Sequence, residues 1–185
     1  MRATPLREPI VNASTFLASQ FEFKAWANEE LVSALRHLDG EKHGAERHTS
    51  IRLLNHIYVV DRIFAGHLTG TAHGFTATNT AETPTLDGLA VSLAESDAWY
   101  VNHVPTLSPA MLDAGLDFTF TDGQHGRMTR GEMLSHVLAH GGYHRGAIGR
   151  ILAQTGMAPP REIYTRFLHE REPVRRLTTR AAAGG

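Results

Sequence analysis

The chain has 185 residues, 42% of them apolar and 20% charged, with a formal net charge of −1 and no cysteine. That length suits one domain with a sizeable core, and the composition is ordinary for a globular protein. Without cysteine there can be no disulfide, no thiolate metal ligand and no protein thiol nucleophile; without a basic block in the body, a nucleic-acid groove is not expected, because phosphate binding needs clustered Lys and Arg.

Residues 1–13 are polar and punctuated by Pro5 and Pro9, which reads as a flexible lead-in. They contain no apolar stretch of the signal-peptide kind. No apolar run elsewhere approaches the roughly 20 residues of a membrane span. A cytoplasmic protein without a membrane partner is the expectation. From residue 14 the helical pattern begins, with Ser14 or Thr15 as N-cap. Phe16, Phe23, Trp26, Ala27, Leu31, Ala34, Leu35 and Leu38 recur at helical spacing, and Asp39-Gly40 ends the element.

A second helix is expected from Thr49 or Ser50 to Thr69-Gly70, with Leu53, Ile57, Val60, Phe64 and Leu68 as its stripe and His56 at the edge of that face. Residues 70–84, rich in Thr, Gly, Ala and Asn, form a long loop, unusual enough in a compact domain to suggest a functional role. Pro84-Thr85 starts a third helix, running to Val104 and stopped by Pro105, on which Leu86, Leu89, Leu93, Asp97, Tyr100 and Val104 share a spacing. Leu116, Phe118 and Phe120 then alternate with polar residues before an Asp122-Gly123 turn, so a small hairpin or extended loop precedes the last long helix. Thr129 and Glu132 fit a capping box that opens this helix over residues 130–154, and residues 161–170 read as a short helix. Residues 171–185 form a polar tail that includes Arg175, Arg176 and Arg180. Four long amphipathic helices, without a repeat or an internal linker, predict an all-α bundle over residues 14–170.

His136, His140 and His144 follow one another at four-residue steps on the last long helix. Neighbours in such a ladder have Cβ atoms roughly 5–6 Å apart, close enough for two imidazoles to meet one metal ion. The outer pair lies roughly 12 Å apart and can hardly do so. The pair is therefore 136/140 or 140/144, with His140 common to both. The best third ligand is His56, which alone among the other histidines falls mid-helix beside an apolar stripe. Three neutral imidazoles suit Zn, Ni, Fe or Cu, and leave an open position of the catalytic rather than the closed structural type. His67 and His73, flanking the 70–84 loop, read as plain loop residues. Gly141 and Gly142 interrupt the helix between candidate ligands, each at about 1 kcal/mol against Ala, and close packing is the preferred reading. Asp61, just over a turn from His56, is the candidate to orient a ligand by hydrogen bonding. No zincin, di-iron, Walker or nucleophile-elbow pattern is present.

Three stretches together resemble the DinB-like (DinB/YfiT-type) metalloproteins: Phe23-Lys-Ala-Trp26-Ala-Asn28, Leu53-Leu-Asn-His56-Ile-Tyr-Val-Val-Asp61-Arg62, and Ser135-His136-Val-Leu-Ala-His140-Gly-Gly-Tyr-His144-Arg145-Gly. The resemblance implies a four-helix bundle in up-down-down-up order, often a homodimer. It implies a metal, commonly zinc or nickel, with iron also in range, held by His56, His140 and His144, and it leaves His136 as the supernumerary histidine. It also implies a small-molecule enzyme of S-transferase or isomerase type that uses a low-molecular-weight thiol such as bacillithiol, mycothiol or glutathione. A metal-dependent hydrolase using metal-bound water, and a non-catalytic, stress-linked metal- or ligand-binding protein, are the alternatives.

Overall fold

The structure, a computed structural model, describes residues 12–176. Most of the lead-in (1–11) and of the tail (177–185) lies outside the described residues.

The first helix, α1, spans Ala13–His37. Its cap is Asn12, not Ser14 or Thr15: the Asn12 side chain accepts from Thr15 N at 2.9 Å, and the Thr15 hydroxyl oxygen accepts from Asn12 N at 3.0 Å. Ser14, inside the helix, instead donates to Leu107 O at 2.7 Å. Phe16 is half exposed, and Phe21 takes the core position in its place. Helix α2 spans Gly44–Thr69, starting earlier than Thr49 because His43 opens it without any side-chain cap. Its other end is as expected: Gly70, at φ +69°, takes the left-handed conformation that a helix C-terminus favours.

Helix α3 spans Leu86–His103 with Thr85 as its cap. Pro105 does not end the chain's coiling but sits in a 3₁₀ turn, Val104–Thr106. A short helix, α4 (Pro109–Asp113), capped by Ser108, was not expected; five residues carry too little periodicity to register. Strands β1 (Gly115–Thr119) and β2 (His125–Thr129) pair antiparallel, Gly115 opposite Thr129 and Thr119 opposite His125, as the alternation and the Asp122-Gly123 turn suggest. Helix α5 spans Arg130–Gln154 and α6 spans Tyr164–Arg171.

The described protein is thus mostly helical, with one small hairpin. Helix α2 packs against α5 and α1 against α3; α1 also touches α5, and α2 touches α3. Two apolar clusters fill the interior. One gathers Phe21, Phe64, Tyr100, Met133 and Val137; the other gathers Leu35, Leu54, Leu89, Ile148 and Leu152. Between them on α1 lies Lys24, on α3 Asp97, and on α5 Gly141 and Arg145, all buried. The core is split by a polar layer, and this layer is at the level of the histidines on α5. No helix among the described residues is long and apolar enough to cross a membrane.

Candidate metal centre

Helix α5 presents its histidines in a fixed register because its start is pinned. Thr129 Oγ1 accepts from Glu132 N at 3.1 Å, and the Glu132 carboxylate accepts from Thr129 N at 2.7 Å. A cap of this kind is worth about 1 kcal/mol. From there Met133, Leu134, Val137, Ile148 and Leu152 are fully buried, which turns His140 and His144 toward α2.

His56, His140 and His144 come together. Each offers one ring nitrogen, and these three atoms all lie within 4.8 Å of one another. The ring centroids are 4.8 Å apart for His56 and His140, 4.7 Å for His56 and His144, and 4.5 Å for His140 and His144. His56 Nδ1 is 2.6 Å from Thr78 O. A carbonyl oxygen only accepts, so Nδ1 is the donor, the arrangement that reserves Nε2 for a metal ion. That Nε2 is 3.0 Å from His140 Nε2. The other nitrogen of His140, Nδ1, is buried without a partner among the described residues.

Burial, followed by the neighbouring His56, His144 and His136, pushes the His140 pKa down to about 3. Burial and His56 also lower His144. Such rings stay neutral at physiological pH, the form that binds metals. In a zinc tetrahedron with Zn–N distances near 2.0–2.1 Å, neighbouring nitrogens stand about 3.4 Å apart. The three residues therefore fit a divalent ion in donor type, protonation state and approximate separation.

A pH dependence follows from the His140 shift. A histidine whose folded pKa lies below 6.5 contributes stability that is complete above that value and is lost as pH falls toward about 3. Metal-free wild type is expected to lose stability relative to His140→Gln between about pH 7.5 and about pH 5. Urea midpoints of the two proteins check this; a constant difference would mean that His140 titrates as it does in water.

The other expected residues are placed elsewhere. His136 is exposed and packs against Phe64 with the rings tilted and their centroids 4.6 Å apart, outside the three-nitrogen group. His67 and His73 pair with each other at 5.2 Å, and His73 Nδ1 accepts from Phe75 N at 3.1 Å. Asp61 does not hydrogen-bond a histidine. It is fully buried, and its Oδ2 accepts from Lys24 Nζ at 2.6 Å. The outer nitrogen of His56 is held instead by Thr78, in the long 70–84 loop. That loop is tied to the histidine's own helix turn: Asn55 Nδ2 donates to Asn79 Oδ1 and to Thr80 Oγ1, and Arg52 Nη1 donates to Thr80 O at 2.8 Å. Gly141 has a packing role. A Cβ there would lie 2.9 Å from Arg145 Nη1 and 3.6 Å from Lys24 Cε, whereas Gly142 meets only Arg145 Nη2, at 3.9 Å.

These features define a mostly helical protein in which two helices bring three imidazoles together, a group able to hold a metal ion. The chain belongs to the DinB family, whose family model matches residues 12–176. It is similar to the protein named "Protein DinB" from Bacillus subtilis (strain 168), at 25% identity over 168 residues that cover 84% of this chain and 95% of that protein. No solved structure matches.

Proposed function

We propose that the protein binds one divalent metal ion, zinc or nickel before iron, through His56, His140 and His144, and uses it to activate a low-molecular-weight thiol for transfer to a small electrophile. The observation that carries this reading is the convergence of three imidazole nitrogens, with the His56 tautomer set by Thr78 O. A bound divalent ion lowers the pKa of a coordinated thiol and so supplies thiolate at neutral pH. A chain without cysteine has to take that sulfur from a cofactor. Thr78 keeps the proton on His56 Nδ1, and the apolar face of α5 holds His140 and His144 in place. Asp61, the carboxylate nearest His56 along α2, is engaged by Lys24 and is not free to act as the base that hydrolysis would call for.

The proposal includes the finer architecture. The pairs Lys24–Asp97 and Phe21–Tyr100 run in opposite senses along α1 and α3, and so do His56–His144 and Phe64–His136 along α2 and α5. Asn28–Arg145, together with Lys24 beside Gly141, runs in the same sense along α1 and α5. These pairs support an up-down-down-up four-helix bundle. A homodimer working on a small molecule in the cytoplasm, with neither nucleic acid nor membrane as partner, completes the reading.

The test is protein loaded with zinc or nickel and incubated with bacillithiol, mycothiol or glutathione and a model electrophile, with conjugates read by mass spectrometry. Conjugation at least about tenfold above the protein-free rate, lost in His140→Ala, is the expected result. Hydrolysis of the electrophile without thiol would replace this reading with the hydrolase. Stoichiometric metal with no turnover of any kind would make the protein a binding protein.

A further inference from the structure

The polar layer that divides the core holds charges that the proposed chemistry leaves unused. Lys24 Nζ lies 2.6 Å from Asp61 Oδ2 and 2.6 Å from Asp97 Oδ1, with the side chains 1%, 0% and 6% exposed. Asn28 Nδ2 donates to Asp97 Oδ2 at 2.8 Å, and Arg145 Nη1 donates to Asn28 Oδ1 at 3.3 Å. Arg145 is in turn paired with Glu162 at 2.5 Å. Asp61 Oδ1 is buried with no hydrogen-bond partner among the described residues. Buried ion clusters rarely make a fold more stable than well-packed apolar side chains of the same volume would. What this one supplies is position.

Its members stand beside the ligands on both histidine-bearing helices. Gly141, against which the Lys24 stem lies, follows His140; Arg145 follows His144; Asp61 is on α2 with His56. The ammonium is contributed by α1 and the second carboxylate by α3, neither of which carries a ligand histidine. Lys24 and Arg145 against Asp61 and Asp97 leave the buried layer without net charge.

We propose that Lys24, clamped between Asp61 and Asp97 and lying against Gly141, is a positioning residue of the metal centre: the cluster sets the separation of the histidine-bearing turns. The proposal rests on the metal reading above. Burial alone would pull the Lys24 pKa down, but the two carboxylates outweigh it and keep the ammonium charged.

The probe is cobalt(II), titrated into the full-length chain, with affinity and visible spectrum as readouts and circular dichroism reporting the fold. Asp97→Asn replaces one of the two clamping carboxylates, on a helix without a ligand, while its amide oxygen can still accept from Lys24. It is expected to weaken cobalt binding about tenfold with unchanged helix content. The triple variant Lys24→Met/Asp61→Asn/Asp97→Asn is also expected to shift the visible bands, since the clamp is gone. Wild-type affinity and spectrum in the folded variants would overturn the inference while leaving the metal reading intact. If the triple variant does not fold, Asp97→Asn decides alone. Failure of wild type to bind cobalt, zinc or nickel would overturn both.

Discussion

His140→Ala is expected to strip the metal from the protein. Of the three imidazoles, His140 is common to both pairs that the ladder on α5 allows, its Nε2 is the atom that meets His56 Nε2 at 3.0 Å, and burial holds it neutral far below physiological pH. Losing it leaves two ligands on different helices. The expected loss of affinity is at least about hundredfold, beyond what removal of a ligand's hydrogen-bond partner costs. Elemental analysis of the purified variant should therefore find metal well below one per chain. The fold should survive, since the His140 Nδ1 atom that goes with the ring is buried without a partner among the described residues. His136→Ala is the control: that ring packs against Phe64 outside the three-nitrogen group, and its loss should leave metal content unchanged. Equal metal in wild type and His140→Ala would refute the assignment.

Lys24→Met is expected to produce the largest loss of stability. The substitution leaves Asp61 and Asp97 facing each other in the core, and breaking a buried ion pair from one side costs about 3–5 kcal/mol. Burial already raises the pKa of Asp61 to about 6 with the ammonium present; without it, that group rises further. A carboxyl with a raised folded pKa contributes stability at low pH and loses it as pH climbs through the folded value. Urea unfolding of the variant should therefore show a deficit that is smaller at about pH 5 than at about pH 8. Neutralising all three residues together should recover much of the loss, because no unpaired charge is then left. A variant as stable as wild type at both pH values would mean that water reaches the cluster.

Much of this was legible in the sequence, and the reasons differ from element to element. Helix α5 could be placed to the residue because Thr129 and Glu132 form a complete capping box and Thr155-Gly156 closes the other end. Helix α2 was expected too short, since nothing in His43-Gly44 announces a start and no side chain caps it. Ladder spacing and an apolar stripe, which are local properties of a helix, reach His140 and His56 but leave 136/140 and 140/144 open; only the family resemblance selects His144 over His136. Thr78 was not named, because a backbone carbonyl has no signature in side-chain chemistry; only the unusual length of the 70–84 loop pointed there. Asp97 was visible as a carboxylate in the spacing of an apolar stripe, which should have raised the question of its partner. Lys24 answers it from a helix 73 residues away, and pairings of that range follow from packing, not from pattern. Asp61 was given to the histidines because it is near one in sequence, while its side chain points to the ammonium.

The contact between His56 and His140 joins positions 84 residues apart, whereas His140 and His144 are one helical turn apart. In the proposed centre, two of three ligands are therefore in place as soon as α5 coils, and the third arrives only when α2 docks against it. A newly made chain in the presence of the ion meets a weak two-point grip first and a strong three-point grip at the end. Order of assembly, and not only final affinity, is thus built into the spacing: the ion would favour early coiling of α5 and would be retained firmly only by chains that have completed their long-range pairing.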